Sequence, residues 1–113
     1  MGQVDEVRGH LEMLLLAILA DGPAHGYALI ERLRDGSGGR FDLPEGTVYP
    51  ALHRLEASGL LSSRAAQVGG RHRREYVLTK RGRSVLGTRR EEWAGFVVSV
   101  QAILRGAPWP TTT

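Results

Sequence analysis

Apolar residues recur along this chain in two rhythms, and the changes between them divide it into elements. Residues 11–20, LEMLLLAILA, are apolar almost all round. That is the sign of a helix enclosed on most sides, a central post for the rest. Asp21-Gly22-Pro23 ends it, because glycine permits the turn and proline cannot continue a helix. A second helix is expected over residues 26–35, with Leu29, Ile30 and Leu33 inward. Gly36-Ser37-Gly38-Gly39 reads as a flexible break, with Phe41 and Leu43 pinning its far side to the core.

The next stretch, residues 43–61 (LPEGTVYPALHRLEASGLL), is the one the others position. As a helix it sets Val48, Leu52 and Leu55 at i, i+4 and i+7, a narrow apolar stripe. Gly46, Pro50, His53 and Ala57 fall opposite, with Tyr49 and Arg54 on the flanks. This outer face lacks the usual Glu and Lys and suits close approach to another surface. Gly59 fits the left-handed position after the helix, and Leu60 can then fold back onto Leu55. Pro50 removes one backbone bond, so a local bend or a late helix start is expected.

Period-2 alternation follows. Residues 60–66 and 73–78 read as two strands around a turn centred on Gly69-Gly70, with Tyr76 and Leu78 inward and Glu75 and Val77 outward. The loop between them, roughly six residues, is longer than a tight hairpin needs. Thr79 is the expected N-cap of a last helix running to about residue 104. Gly106, Pro108 and Pro110 close it, and the threonine tail is expected to be disordered, as residues 1–8 are expected to form a loosely held arm. The fold class is α+β, mainly α: a winged helix-turn-helix with a two-stranded wing and a C-terminal dimerisation helix, divided at residues 9–79 and 80–106.

Composition narrows the function. A chain of 113 residues with 42% hydrophobic content supports one small core and leaves room for stabilisation by oligomerisation. The absence of cysteine excludes disulfides, thiolate catalysis and cysteine-bound zinc. The longest apolar run, residues 13–20, is far short of the roughly 20 residues a membrane span needs. No secretory signal pattern is present, so a cytoplasmic protein is expected, with no membrane partner. Carboxylates are scattered, and Ser62 and Ser63 have no evident base. His10, His25, His53 and His72 lack close ligand spacing. Neither an enzyme, a metal site nor a cofactor is indicated.

Net charge is only +3, so the placement of the cations matters more than their number. Arg71, His72, Arg73 and Arg74 stand in a row beside two glycines, directly after the short helix. On a generic hairpin they would be a solvated face; beside a reading helix they become phosphate contacts, extended by Lys80 and Arg81. A helix-turn-helix presents the N-terminal half of its recognition helix to base edges in the major groove. Thr47, Tyr49, Pro50 and His53 are the candidates there, with Arg54 for phosphate. The plainer alternatives are packing for Tyr49, solvation for His53, and a surface ion pair of Arg54 with Glu31 or Glu56. Tyr27 is either a phosphate donor at the start of the second helix or a core residue.

The last helix carries Trp93, Phe96, Val97, Val100, Ile103 and Leu104 at spacings of threes and fours. Burying such side chains is worth roughly 1.5 to 3 kcal/mol each, and a domain this small has little surface to cover them. A second copy of the chain, making a homodimer, is the expected cover.

His25-Gly26-Tyr27, the run Gly46-Thr47-Val48-Tyr49-Pro50-Ala51-Leu52-His53-Arg54-Leu55-Glu56, Gly59-Leu60-Leu61, and Arg73-Arg74-Glu75-Tyr76-Val77-Leu78-Thr79 with Gly82 together resemble the PadR family. The resemblance spans residues 11–86 and is closest to the short subfamily with a single C-terminal helix. Pro44 stands where that family often has Ser or Thr. The resemblance implies a homodimeric regulator of transcription that binds double-stranded DNA, usually a repressor released by a small molecule or another signal. It also implies a role for Trp93, which resembles in position a tryptophan that stacks planar ligands at the dimer centre in multidrug-sensing members. Phe96 and Val100 would then line the cleft of a planar apolar effector, against the plainer reading that Trp93 fills the dimer seam. Two rival functions remain open at this point: an architectural DNA binder without an effector, and a winged helix that docks another protein.

Overall fold

A central helix carries the fold, as its all-round apolar sequence requires. The computed structural model describes residues 7–106. Helix α1 (Leu11–Leu19) is followed by β1 (Ala24–His25), α2 (Gly26–Gly36), α3 (Glu45–Ala57), β2 (Leu61–Val68), β3 (Arg71–Leu78) and α4 (Lys80–Leu104). Every residue from 11 to 20 is buried or half-buried, and α1 touches α2, α3, α4 and β3. Leu15, Leu16, Leu29, Val48, Ala51 and Leu52 are fully enclosed, joined by Leu61 and Tyr76 from the sheet. Burial raises the Tyr76 phenol above its ordinary value, with Glu56 and Tyr49 adding to the effect.

The end of α3 has the geometry its sequence specifies. Gly59 takes φ +78°; its N–H donates to the Glu56 carbonyl, and the Leu60 N–H to that of Leu55 (3.0 Å each). That pair of bonds is a Schellman motif. The start differs from expectation. Glu45 begins the helix and Pro50 lies inside it, so the late start is corrected. Pro44 is the residue before the helix, and its carbonyl accepts from Thr47 (3.0 Å) and Val48 (3.2 Å). Pro50 deprives only the Gly46 carbonyl of a partner, and Gly46 is exposed to water.

Two expectations about turns are also corrected. The wing strands run right up to Gly69-Gly70, with Val68 paired to Arg71. The connection is therefore two residues long, with φ of +58° and +80°, as a type I′ hairpin turn requires. The outer residues of β3, Arg71 and His72, are polar and exposed on both faces, which hid the alternation. The Gly36–Gly39 break is a bonded turn: Ser37 Oγ donates to the Leu33 carbonyl (2.7 Å) and accepts from Phe41 N–H (2.8 Å).

The sheet has a third strand that the hydrophobic pattern did not reveal. Strand order is β1-β3-β2, all antiparallel, with Ala24 opposite Tyr76 and His25 opposite Glu75. A two-residue strand has no room for a period. Of the expected N-terminal arm, Val7 is core, at 2% exposure; residues 1–6, Pro108, Pro110 and the threonine tail lie outside the described residues. Thr79 caps α4 as expected, accepting from Gly82 N–H at 2.9 Å. Within α4 only Gly82 and Leu86 are buried. The 25-residue helix is about 37 Å long and helps extend the described part to 71 × 31 × 20 Å.

Candidate nucleic-acid interface

The N-terminal half of α3 lies between two clefts. The larger, about 590 Å³, is lined by Glu45 and Tyr49 of α3, by His25, Gly26 and Tyr27, and by Arg71, His72, Arg73 and Arg74 of the wing. Helix α3 and the arginine ribbon thus share one continuous surface. Tyr27 is half exposed, at 50%, so its core-packing alternative is corrected. Tyr49 is half-buried, and its ring lies where a Cβ on Gly26 would be, with ring carbons and hydroxyl only 2.6 Å from that position. Glycine there allows the two helices to approach.

The smaller cleft, about 300 Å³, is lined by Gly46, Thr47, Pro50 and Arg54 of α3 together with Arg8 and Leu11. Of its two arginines, the one on α3 is engaged with α1. Arg54 Nε donates to Glu12 Oε2 at 3.2 Å, so the alternative pairing with Glu31 or Glu56 is corrected; Glu56 instead accepts from Ser63 Oγ. An ion pair this exposed is worth little and leaves Arg54 free to exchange partners. His53 is exposed one turn further along α3 and lines neither cleft, and Lys80 is exposed at the start of α4.

The wing cations differ among themselves. Arg73 is half-buried, its Nη1 3.4 Å from His25 Nδ1. That nitrogen also accepts the Ala28 N–H at 3.2 Å, so His25 caps α2. Arg74 Nη1 donates to Ser63 Oγ at 2.9 Å, and Arg64 pairs with Glu75 across the strands at 2.7 Å. Arg71 and His72, nearest the turn, are exposed. Sequence reasoning missed His25, Glu45 and Arg8 as parts of this surface. A histidine directly before a helix was the one local signal for the first of them.

The Transcriptional regulator PadR-like family model matches residues 15–88. The transcriptional regulator Rv3488 of Mycobacterium tuberculosis is 42% identical over 80 residues, covering 70% of this chain and 71% of that protein. The chain belongs to the PadR family. Among solved structures, a PadR family transcriptional regulator from Eggerthella lenta is 34% identical, with a TM-score of 0.79 over 91% of this chain and 88% of that one. A PadR-like transcriptional regulator from Bacillus cereus superposes with a TM-score of 0.80 at 26% identity, covering 90% of this chain and 98% of its own. The fold is the winged helix of PadR regulators.

A second region of this PadR chain stands apart from the two clefts beside α3. A groove of about 470 Å³ between the start of α1 and the middle of α4 is lined by Gly9, His10, Met13, Arg89, Glu92, Trp93 and Phe96. The Trp93 ring meets His10 edge-on at 4.8 Å and Phe96 at 5.8 Å. Val100 does not line this groove, and Val97 is half-buried. The remaining expected seam residues are open: Phe96 is 58% exposed, Ile103 74% and Leu104 79%, with Val98, at 63%, an addition. Among the described residues no helix is long and apolar enough to cross a membrane, and no group of three or more His, Cys, Asp or Glu is placed to hold a metal ion.

Proposed function

We propose that this PadR-family protein is a homodimeric, sequence-specific repressor whose α4 helices pair along Trp93, Phe96, Val97, Val100, Ile103 and Leu104. The observation that carries the DNA-reading part is the cleft that Tyr49 shares with Arg71, His72, Arg73 and Arg74. In this reading Thr47, Tyr49, Pro50 and His53 meet base edges. Tyr27, Arg54, Arg71, His72, Arg73 and Lys80 hold phosphate, with Arg73 also bracing the wing against His25. Two reading heads then occupy successive major grooves about 34 Å apart on a pseudo-palindrome. A planar apolar molecule at Trp93, Phe96 and Val100 releases the operator, provided it binds one head spacing better than the other.

Selection of bound fragments from random duplex DNA gives the preferred site. Arg71→Ala is expected to weaken preferred and random duplexes alike and to flatten the logarithmic salt slope by about one. Thr47→Val or His53→Ala should instead change which site is selected. Equal losses on preferred and random DNA from both kinds of variant would remove the division between reading and gripping residues.

A further inference from the structure

Glu45 is the only carboxylate among the residues lining the large cleft, against three arginines and two histidines. It is the first residue of α3, it is exposed, and among the described residues it makes no hydrogen bond or ion pair. Its place in the first turn lets its charge favour the N-terminal end of α3, but its oxygens bond to nothing among the described residues. A capping role would have it accept first-turn N–H groups, but those of Thr47 and Val48 go to the Pro44 carbonyl. Two of the neighbouring cations are engaged elsewhere, Arg73 against His25 and Arg74 on Ser63, while Arg71 and His72 stand exposed nearer the turn. A negative charge at the mouth of a cationic cleft repels phosphate. It can still serve as an acceptor for a base edge that offers a donor.

We propose that Glu45 is a specificity-determining residue that accepts a hydrogen bond from the exocyclic amino group of a cytosine in the major groove. In that groove cytosine presents its N4 amino group, whereas thymine presents a carbonyl oxygen at the equivalent place, so the carboxylate attracts one pyrimidine and repels the other. The residue sits at the N-terminal end of the recognition helix, where base contacts are made. Its charge lowers affinity for DNA in general, and the cytosine contact restores it at the right site. The inference rests on the DNA-reading function proposed above.

The test compares wild type, Glu45→Gln and Glu45→Ala, each as the full chain, by selection from random duplexes and then by competition binding. Wild type is expected to select a cytosine at one position in each half-site and to lose about tenfold when that C·G pair becomes T·A. In Glu45→Ala that penalty should disappear, while affinity for random duplex rises. Opposite signs on the two substrates are the signature, because loss of a mere repulsive charge raises both together. An unchanged site preference in Glu45→Ala, whatever its affinity, overturns the assignment and leaves the DNA-reading function standing. Failure of wild type to bind any duplex overturns both.

Discussion

Helix α3 and the outer half of α4 have the same apolar spacing and meet opposite fates. In α3 the stripe of Val48, Leu52 and Leu55 is at most 1% exposed, closed over by α1, α2 and β2. In α4, past Leu86, no side chain is buried, and Ile103 and Leu104 are more than 70% exposed. Amphipathic periodicity therefore says that a face will be covered, without saying by what. For α3 the cover is the chain itself, which leaves the opposite face, Gly46, Pro50, His53 and Ala57, exposed. For α4 no described residue encloses the outer apolar face, which on the proposed function a second copy covers.

The contrast breaks most sharply at Leu52. Leu52→Ala removes a fully enclosed side chain and is expected to cost about 3 kcal/mol, within the range of roughly 2 to 5 for such truncations. Urea unfolding should show the same decrement at every protein concentration. Ile103→Ala, in contrast, should shift the unfolding midpoint only where copies associate, since its stabilisation depends on mass action. A concentration-independent loss of the Leu52 size at Ile103 would mean that α4 folds back onto its own chain in solution.

The next effect concerns reach along DNA. Ile103→Glu combined with Leu104→Glu places charge on the open face and touches none of the core residues. Sedimentation is expected to give monomers, with helical content retained. Operator affinity should fall about 100-fold, because joining two weak readers typically gains 10² to 10⁴. Random-sequence affinity should fall far less. A variant that remains dimeric would move the interface elsewhere on the molecule.

How far each region was legible follows from the distance its signals span. The α3 stripe, its Schellman end at Gly59-Leu60 and the Thr79 cap are local patterns, and all appear where the residues put them. Strand β1 was invisible because its two residues acquire meaning only opposite Tyr76 and Glu75. The outer wing was misread as a long loop because Arg71 and His72 stand exposed on both sides of the ribbon, leaving no inward residue to mark the alternation. At the candidate interface, sequence named most of the cations and aromatics. It missed His25 and Glu45, whose neighbours in the cleft come from the wing, and the ion-pair partners it weighed as an alternative for Arg54, Glu31 and Glu56, were not the one found. The true one, Glu12, lies 42 residues away, beyond any helical spacing rule.

That ion pair yields the smallest and most discriminating effect. Glu12 lies on α1 between His10 and Met13, both of which line the Trp93 groove, while its carboxylate holds Arg54 of the recognition helix. The pair joins the two compared regions through one turn of the central post. With Arg54 62% exposed, breaking it should cost no more than about 0.2 to 1 kcal/mol of stability. Its effect on binding should have the opposite sign: Glu12→Ala releases a guanidinium beside Thr47 and Pro50, so affinity for duplex DNA is expected to rise severalfold and its salt dependence to steepen. Arg54→Ala should lose a similar small stability yet bind more weakly. If the two variants instead change affinity in the same direction, Arg54 is acting as a strut between α1 and α3 and not as a phosphate ligand held in reserve.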